Sequence, residues 1–202
     1  MLKLAISLAI VASMSLVPAV GVAQESPAQA AARLGRRSID TRLVSSSGSV
    51  RAGRAMAVID APFDVVMAAI TDYGRYRQFM PHFNRSRVLS RRGNNALVYL
   101  QARVLRGSTT LWAQTRMYAR RPRGQTRIIE GRMREGNMEH FVARFEATPI
   151  DGGERTFLSF QLLIDPDLPV PASVLSDQNL RNAHRVIVTL RRYLAAHPNR
   201  YR

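Results

Sequence analysis

The sequence predicts an α+β domain: a curved antiparallel sheet of six to seven strands wrapped on one long C-terminal helix, with two short helices after the first strand. Three observations carry this. Between Arg87 and Ile164 apolar and polar residues alternate in short runs, the period of a half-buried strand. The separators between those runs are short and mostly contain Gly, which joins neighbours as hairpins rather than parallel crossovers. From Ala172 to Ala196 the period becomes helical, with Ala183, Val186, Ile187, Leu190 and Leu194 tracing one stripe.

The chain opens with a segment read as separate from the fold. One charge at Lys3 precedes an apolar run from Leu4 to Val17, Pro18 breaks it, and Gly21-Val22-Ala23 offers small residues for cleavage. That is the layout of a secretory signal peptide over residues 1–23, with cleavage expected after Ala23. The run is short of the roughly 20 residues that span a bilayer. Export to a bacterial periplasm, or secretion, is the expected localisation, and the absence of Cys suits a compartment where disulfides are allowed but not required. Residues 24–37, rich in Ala and Gln and ending in Arg33, Arg36 and Arg37, read as a flexible linker or a marginal helix outside the core.

Strand character follows in Ser38–Ser45 and again in Val50–Ile59, where Ala55, Ala57 and Ile59 share a face. Pro62 opens a helix whose stripe is Val66, Ala69 and Ile70, with Asp64 in its first turn. Asp72-Tyr73-Gly74 ends it, and Tyr76–Met80 forms a second short helix stopped by Pro81. Six strands come next: Arg87–Ser90, Ala96–Leu105, Ser108–Ala119, Gln125–Met133, Met138–Thr148 and Glu154–Ile164. Pro166, Pro169 and Pro171 make a stiff loop before the last helix, and residues 197–202 form a tail. A sheet of this size curls because strand twist accumulates. Gripping a single helix, it leaves space between them unless side chains fill it.

Composition removes much chemistry. The 202 residues hold Lys+Arg 30 against Asp+Glu 14, a formal net charge of +16, and no Cys. Thiolate zinc sites and cysteine nucleophiles are excluded. Lys3 is the only lysine, so no Schiff-base or P-loop lysine exists in the body of the chain. His82, His140, His184 and His197 form no metal-ligand spacing, so neither a metal nor another cofactor is called for.

The stretch from Ala61 to Leu89 resembles the opening of the helix-grip superfamily of START lipid-transfer domains, polyketide cyclase/dehydrases and coenzyme-Q-binding proteins. The resemblance rests on Ala61-Pro62 before the first helix, Asp72-Tyr73, Phe79-Met80-Pro81 and Ser86-Arg87-Val88-Leu89. Downstream, Phe145-Glu146-Ala147-Thr148-Pro149 is similar to an aromatic-x-aliphatic-x-Pro strand, and Asp165–Pro171 to the proline loop before the gripping helix. The likeness covers nearly all of residues 38–196 and implies the helix-grip fold. It places no catalytic residue, since the superfamily hosts binding proteins and enzymes alike.

The residues available to line a cavity are apolar: Phe79, Leu100, Trp112, Phe141, Phe145, Leu158, Phe160 and Ile187, with His184 at the border of the terminal stripe. Trp112 and Met117 have opposite parity, so one of them faces outward unless a bulge intervenes. The pattern alone leaves a packed core and a ligand cavity open; the resemblance favours a cavity. Glu130, Arg132, Arg144 and Glu146 are expected on a solvated convex face. Arg181, Arg185 and Arg192 repeat on the terminal helix opposite Ile187 and Leu190. They suit an anionic membrane surface, unless arginine simply replaces lysine throughout the chain.

The expected function is an exported binding or carrier protein for a hydrophobic small molecule such as a lipid, quinone or polyketide. The alternative is a cyclase/dehydrase acting in the same cavity with Asp72, Tyr99 or His184 as its polar groups. Nucleic acid is not an expected partner, because the basic residues are not interleaved with aromatic stacking platforms.

Overall fold

A computed structural model describes residues 25–81, 83–104 and 107–201. The expected signal peptide, His82 and Leu105 lie outside the described residues.

The elements are α1 (Pro27–Leu34), β1 (Ile39–Val44), β2 (Ala52–Ile59), α2 (Phe63–Thr71), a 3₁₀ turn at Tyr73–Arg75, α3 (Tyr76–Phe79), β3 (Phe83–Arg92), β4 (Asn95–Val104), β5 (Thr109–Arg123), β6 (Thr126–Gly136), β7 (Met138–Ile150), β8 (Arg155–Pro166) and α4 (Ala172–Ala196). The strands make one antiparallel sheet in the order β1-β2-β8-β7-β6-β5-β4-β3. Two strands precede the short helices, and all eight strands join the sheet, so the expected six to seven is corrected upward. Individual strands are also longer than their apolar runs: β3 extends from Arg87–Ser90 to Phe83–Arg92 and β5 continues through Pro122. The β5–β6 register shifts between Arg120 and Arg123, a bulge that absorbs a residue without an N–H to donate.

The main core lies between the concave face of the sheet and α2, α3 and α4. Phe145 and Phe160 pack with ring centroids 4.4 Å apart. Ile187 and Leu190 of α4, with Val66, Ala69 and Ile70 of α2, are fully buried against that floor.

A second, smaller cluster lies on the convex face. Ala30, Ala31 and Leu34 of α1 bury Met56, Val58 and Phe157, so the segment expected as linker or marginal helix is an ordered helix covering the sheet. Local signals account for it. Pro27 begins the helix, the Ser26 hydroxyl accepts from the Gln29 N–H (3.2 Å), and the Gln29 side chain accepts from the Ser26 N–H (2.9 Å). The run Ala55-Met56-Ala57-Val58-Ile59 is buried on both faces, as a covered strand requires.

Arg191 fixes α4 over the start of the sheet. Its guanidinium donates to the Val58 carbonyl (2.8 Å), the Arg37 carbonyl (2.9 Å) and the Ser38 carbonyl (3.3 Å). Burial lowers its pKa from the usual arginine value. The tail is also ordered as far as Tyr201, whose hydroxyl donates to the Asp72 carboxylate (3.2 Å) and lies 3.3 Å from that of Tyr193.

The convex face beyond α1 is not simply solvated. Glu130 is 1% exposed, accepting from Tyr118 (2.7 Å), Arg132 (2.5 Å) and Arg144 (3.3 Å), with Arg120 at 3.7 Å. The register aligns Tyr118, Glu130, Arg144, Gln161, Arg54 and Arg42 as directly paired residues across six strands. The expectation of a solvated Glu130 is therefore corrected: arginine stems roof over it. Burial opposes its charge, but the Tyr118 and Arg132 hydrogen bonds and the adjacent guanidiniums outweigh that and lower its pKa.

Candidate functional site

Packing fills only part of the groove between sheet and helix. Toward the last residues of β4, the first residues of β5 and β7, the end of β8 and the first half of α4, the space remains open as a cavity of about 640 Å³. That volume lies within the range of small-molecule sites. Its floor is Leu100, Ala113, Phe141, Phe160 and Leu162; Met80 and Val186 close its inner end; Leu168 and Val170 of the proline loop and Val174 of α4 form the rim. Val174 is 50% exposed, so the rim itself is apolar. Polar groups are few: Gln178, Asn179 and Asn182 on one side of α4, and Arg103 on β4.

Two asparagines hold this end together where the strand ladders stop. The β2–β8 pairing ends at Gly53 and Leu162. Beyond it the Asn179 side chain accepts from the Ile164 N–H (3.1 Å) and donates to the carbonyls of Ile164 (3.1 Å) and Arg51 (3.2 Å). Ser176 adds a bond, its hydroxyl accepting from the Arg51 N–H (2.9 Å). On the opposite wall, the Asn137 side chain accepts from the Trp112 N–H (2.8 Å) and donates to the Thr110 carbonyl (2.8 Å). Backbone groups that would otherwise be orphaned at the cavity margin are thereby satisfied.

Four of the nine sequence candidates border the cavity: Leu100, Trp112, Phe141 and Phe160. Trp112 does so at the edge of β5, where its indole stacks on Tyr99 at 6.1 Å; Met117, of the other parity, is in the core. Phe145, Leu158 and Ile187 are fully buried in the packed half of the groove. Phe79 packs on Tyr193 at 5.1 Å, and His184 is exposed on α4. These five lie away from the cavity because α2 and α3 close the half of the groove that they occupy, or, for His184, because it faces outward. Alternation could assign a face to each residue, but not which half of that face α2 and α3 cover. The loop residues Leu168 and Val170, and the polar Gln178, Asn179 and Asn182, escape periodicity altogether.

The polar groups considered for acid–base work are also placed. Asp72 pairs with Arg75 (3.0 Å) and receives Tyr201. Tyr99 stacks on Trp112, and His184 points to solvent. None of the three borders the cavity. Tyr76 does, but its hydroxyl donates to the Ile70 carbonyl (2.7 Å), and burial holds its pKa well above the ordinary tyrosine value. Glu139 and His140, adjacent on β7, meet Asp165 of β8 at the sheet margin with potential ligand atoms within 4.8 Å of one another. Two are exposed and the third half-buried, an arrangement ordinary for surface charge.

Residues 59–187 match the sequence profile of the polyketide cyclase/dehydrase and lipid transport family. The chain belongs to that family. Solved structures carry the same fold. A STAR-related lipid transfer protein from Xanthomonas axonopodis superposes with TM-score 0.68 at 14% identity, over 80% of this chain and 96% of that one. Human STARD10 gives 0.64 at 11% identity, over 78% and 74%. The ZhuI aromatase/cyclase from Streptomyces sp. R1128 gives 0.55 at 17% identity, over 80% and 98%. A search of curated protein sequences returned no match. That family joins polyketide cyclases and dehydrases with lipid-transport proteins, so the choice between them falls to the cavity of this chain.

Proposed function

We propose that the protein is an exported carrier that holds one hydrophobic small molecule, such as a lipid, quinone or polyketide, in the cavity between the sheet and the first half of α4. The observation that carries this reading is the lining. It is apolar on floor and rim, and among the described residues its polar side chains are the carboxamides of Gln178, Asn179 and Asn182, the Arg103 guanidinium, the Trp112 indole and the Tyr76 hydroxyl. Such a wall removes apolar surface from water at about 25 cal/mol per Å² and orients one polar end of a ligand by Gln178 or Asn182. A cyclase needs a general acid or base within reach of the reacting atoms. Among the described residues, the one other titratable side chain bordering the cavity is Tyr76, already bonded to Ile70.

The exposed Arg181, Arg185 and Arg192 of α4 are assigned to contact with anionic lipid during loading or release. Each basic residue near such a surface contributes about 1 kcal/mol. Export through the N-terminal segment would place the protein among such lipids.

The test is titration with an apolar fluorescent probe whose emission rises on burial. Ala102 faces the cavity beside Leu100, so Ala102→Trp fills volume without removing a core contact. The wild type should bind the probe saturably and Ala102→Trp at least about tenfold more weakly, with little change in Tm. Equal binding by both proteins would remove the cavity from the account.

A further inference from the structure

A second concavity, of about 630 Å³, lies at the opposite end of the strands, between the β3–β4 hairpin, the β5–β6 hairpin and the end of α2. The two are separate sites. The cavity meets β4 at Leu100–Val104 and the cleft meets it at Asn95 and Ala96, so even their nearest residues, Ala96 and Leu100, are about 13 Å apart at some 3.3 Å per residue. Met117 and Ile129 fill the core between.

The character of the two is opposite. Arg91 of β3, Arg121 of β5 and Arg127 of β6 converge on the cleft; Arg120 borders it with its guanidinium directed to Glu130 on the convex face, and no carboxylate is among the lining residues. Arg91 is held beside it, over the Tyr73 ring (5.5 Å) and 3.5 Å from the Thr71 carbonyl. Arg120 is 3.7 Å from Glu130, a carboxylate already bonded to Tyr118, Arg132 and Arg144. Among the described residues, no carboxylate pairs with Arg121 or Arg127. The bulge at Pro122, between Arg120 and Arg123, gives that strand end its aim. Asn94 and Asn95 add neutral donors from the facing hairpin.

Three like charges from three strands repel one another, and an anion between them reverses the sign of that interaction. One carboxylate could satisfy a single fork and leave the others unpaired. A phosphoryl group offers more charge and several acceptor oxygens to planar guanidiniums. We propose that this cleft is a binding site for a phosphate-bearing molecule carrying at least two negative charges. A free phosphorylated compound and a lipid headgroup share that chemistry.

Calorimetric titration with inorganic pyrophosphate, and co-sedimentation with vesicles containing cardiolipin, whose headgroup carries two phosphates, test it on the purified protein. The variant is Arg121→Gln/Arg127→Gln. The control is Arg36→Gln/Arg134→Gln, which removes the same charge from exposed positions elsewhere. Both variants should keep the wild-type Tm, since all four side chains are exposed. Wild type and control are expected to bind pyrophosphate alike, weakened by added salt, with the cleft variant at least about tenfold weaker. If vesicles rather than pyrophosphate show that same dependence on the cleft variant, the site stands and its phosphate is a headgroup. Equal binding by cleft and control variants, or no binding of either probe by the wild type, overturns the proposal.

Discussion

Gly53 of β2 lies directly beneath the backbone carbonyl of Asn179 on α4, so close that a Cβ at position 53 would overlap it. The helix backbone rests on the strand there, and the Asn179 side chain bridges Arg51 and Ile164 beside it. The same helix turn contributes Asn179 and Asn182 to the cavity. Close approach of helix and strand therefore sets the width of the site.

Gly53→Ala must push α4 outward or bend β2, since the atom it meets is backbone and cannot rotate away. Overpacking of this kind costs about 1–3 kcal/mol. Chemical denaturation should show that loss, and probe affinity should change with it because the cavity wall moves. An Ala variant with wild-type stability would mean that the contact is slack.

Asn179→Asp keeps the volume and removes both donors, placing a carboxylate against the carbonyls of Arg51 and Ile164. The expected loss is about 1–3 kcal/mol at neutral pH, larger than for Asn182→Asp at the rim of the same helix face. Urea unfolding of the two variants in parallel makes the comparison.

Glu130 gives a pH dependence of definite sign. Its pKa is lower in the folded protein than the ordinary 4.5, so the unfolded chain binds its proton first. The stabilisation is present above about 4.5 and is lost as pH falls through the depressed folded value. Glu130→Gln should cost about 1–3 kcal/mol at pH 7 and flatten the acid limb of the Tm-against-pH curve. An acid limb unchanged in the variant would assign it to other carboxylates.

The tail makes a smaller contribution at the opposite limit. Burial, then the hydrogen bond with Tyr193, raises the pKa of Tyr201 above the ordinary 10.0. Its neutral form is favoured by folding, and that contribution is fully present below about pH 10 and lost above it. Tyr201→Phe should cost about 0.5–1.5 kcal/mol at neutral pH. Thermal unfolding of both proteins at neutral and alkaline pH should show their difference narrowing as pH rises.

Much of this fold could be read from residues. Alternation between Arg87 and Ile164, Gly at the turns and the stripe from Ala183 to Leu194 specify the meander and the gripping helix, and the Ala61–Leu89 likeness specifies the superfamily. Alternation also distinguishes inside from outside, which is why Leu100, Phe141 and Phe160 are legible as residues facing the groove. It cannot distinguish the filled half of the groove from the open half, and so Phe145, Leu158 and Ile187 carry the same signal. The docking of α1 had a signal, the unbroken apolar run from Ala55 to Ile59 together with the capping pair Ser26 and Gln29. The burial of Glu130 had none, because its roof is made of side chains from β5, β6 and β7. The cleft at Arg91, Arg121 and Arg127 likewise forms only when three strands are brought side by side.

Native mass spectrometry, followed by organic extraction of the same sample, tests the central claim most directly. The protein should be expressed with its N-terminal segment, recovered from the exported fraction and purified without detergent. The carrier account predicts a mass starting at Gln24, with one apolar molecule bound per chain and recovered in the organic phase. An unliganded mass, with no rise in Tm on adding lipids or quinones, would contradict it.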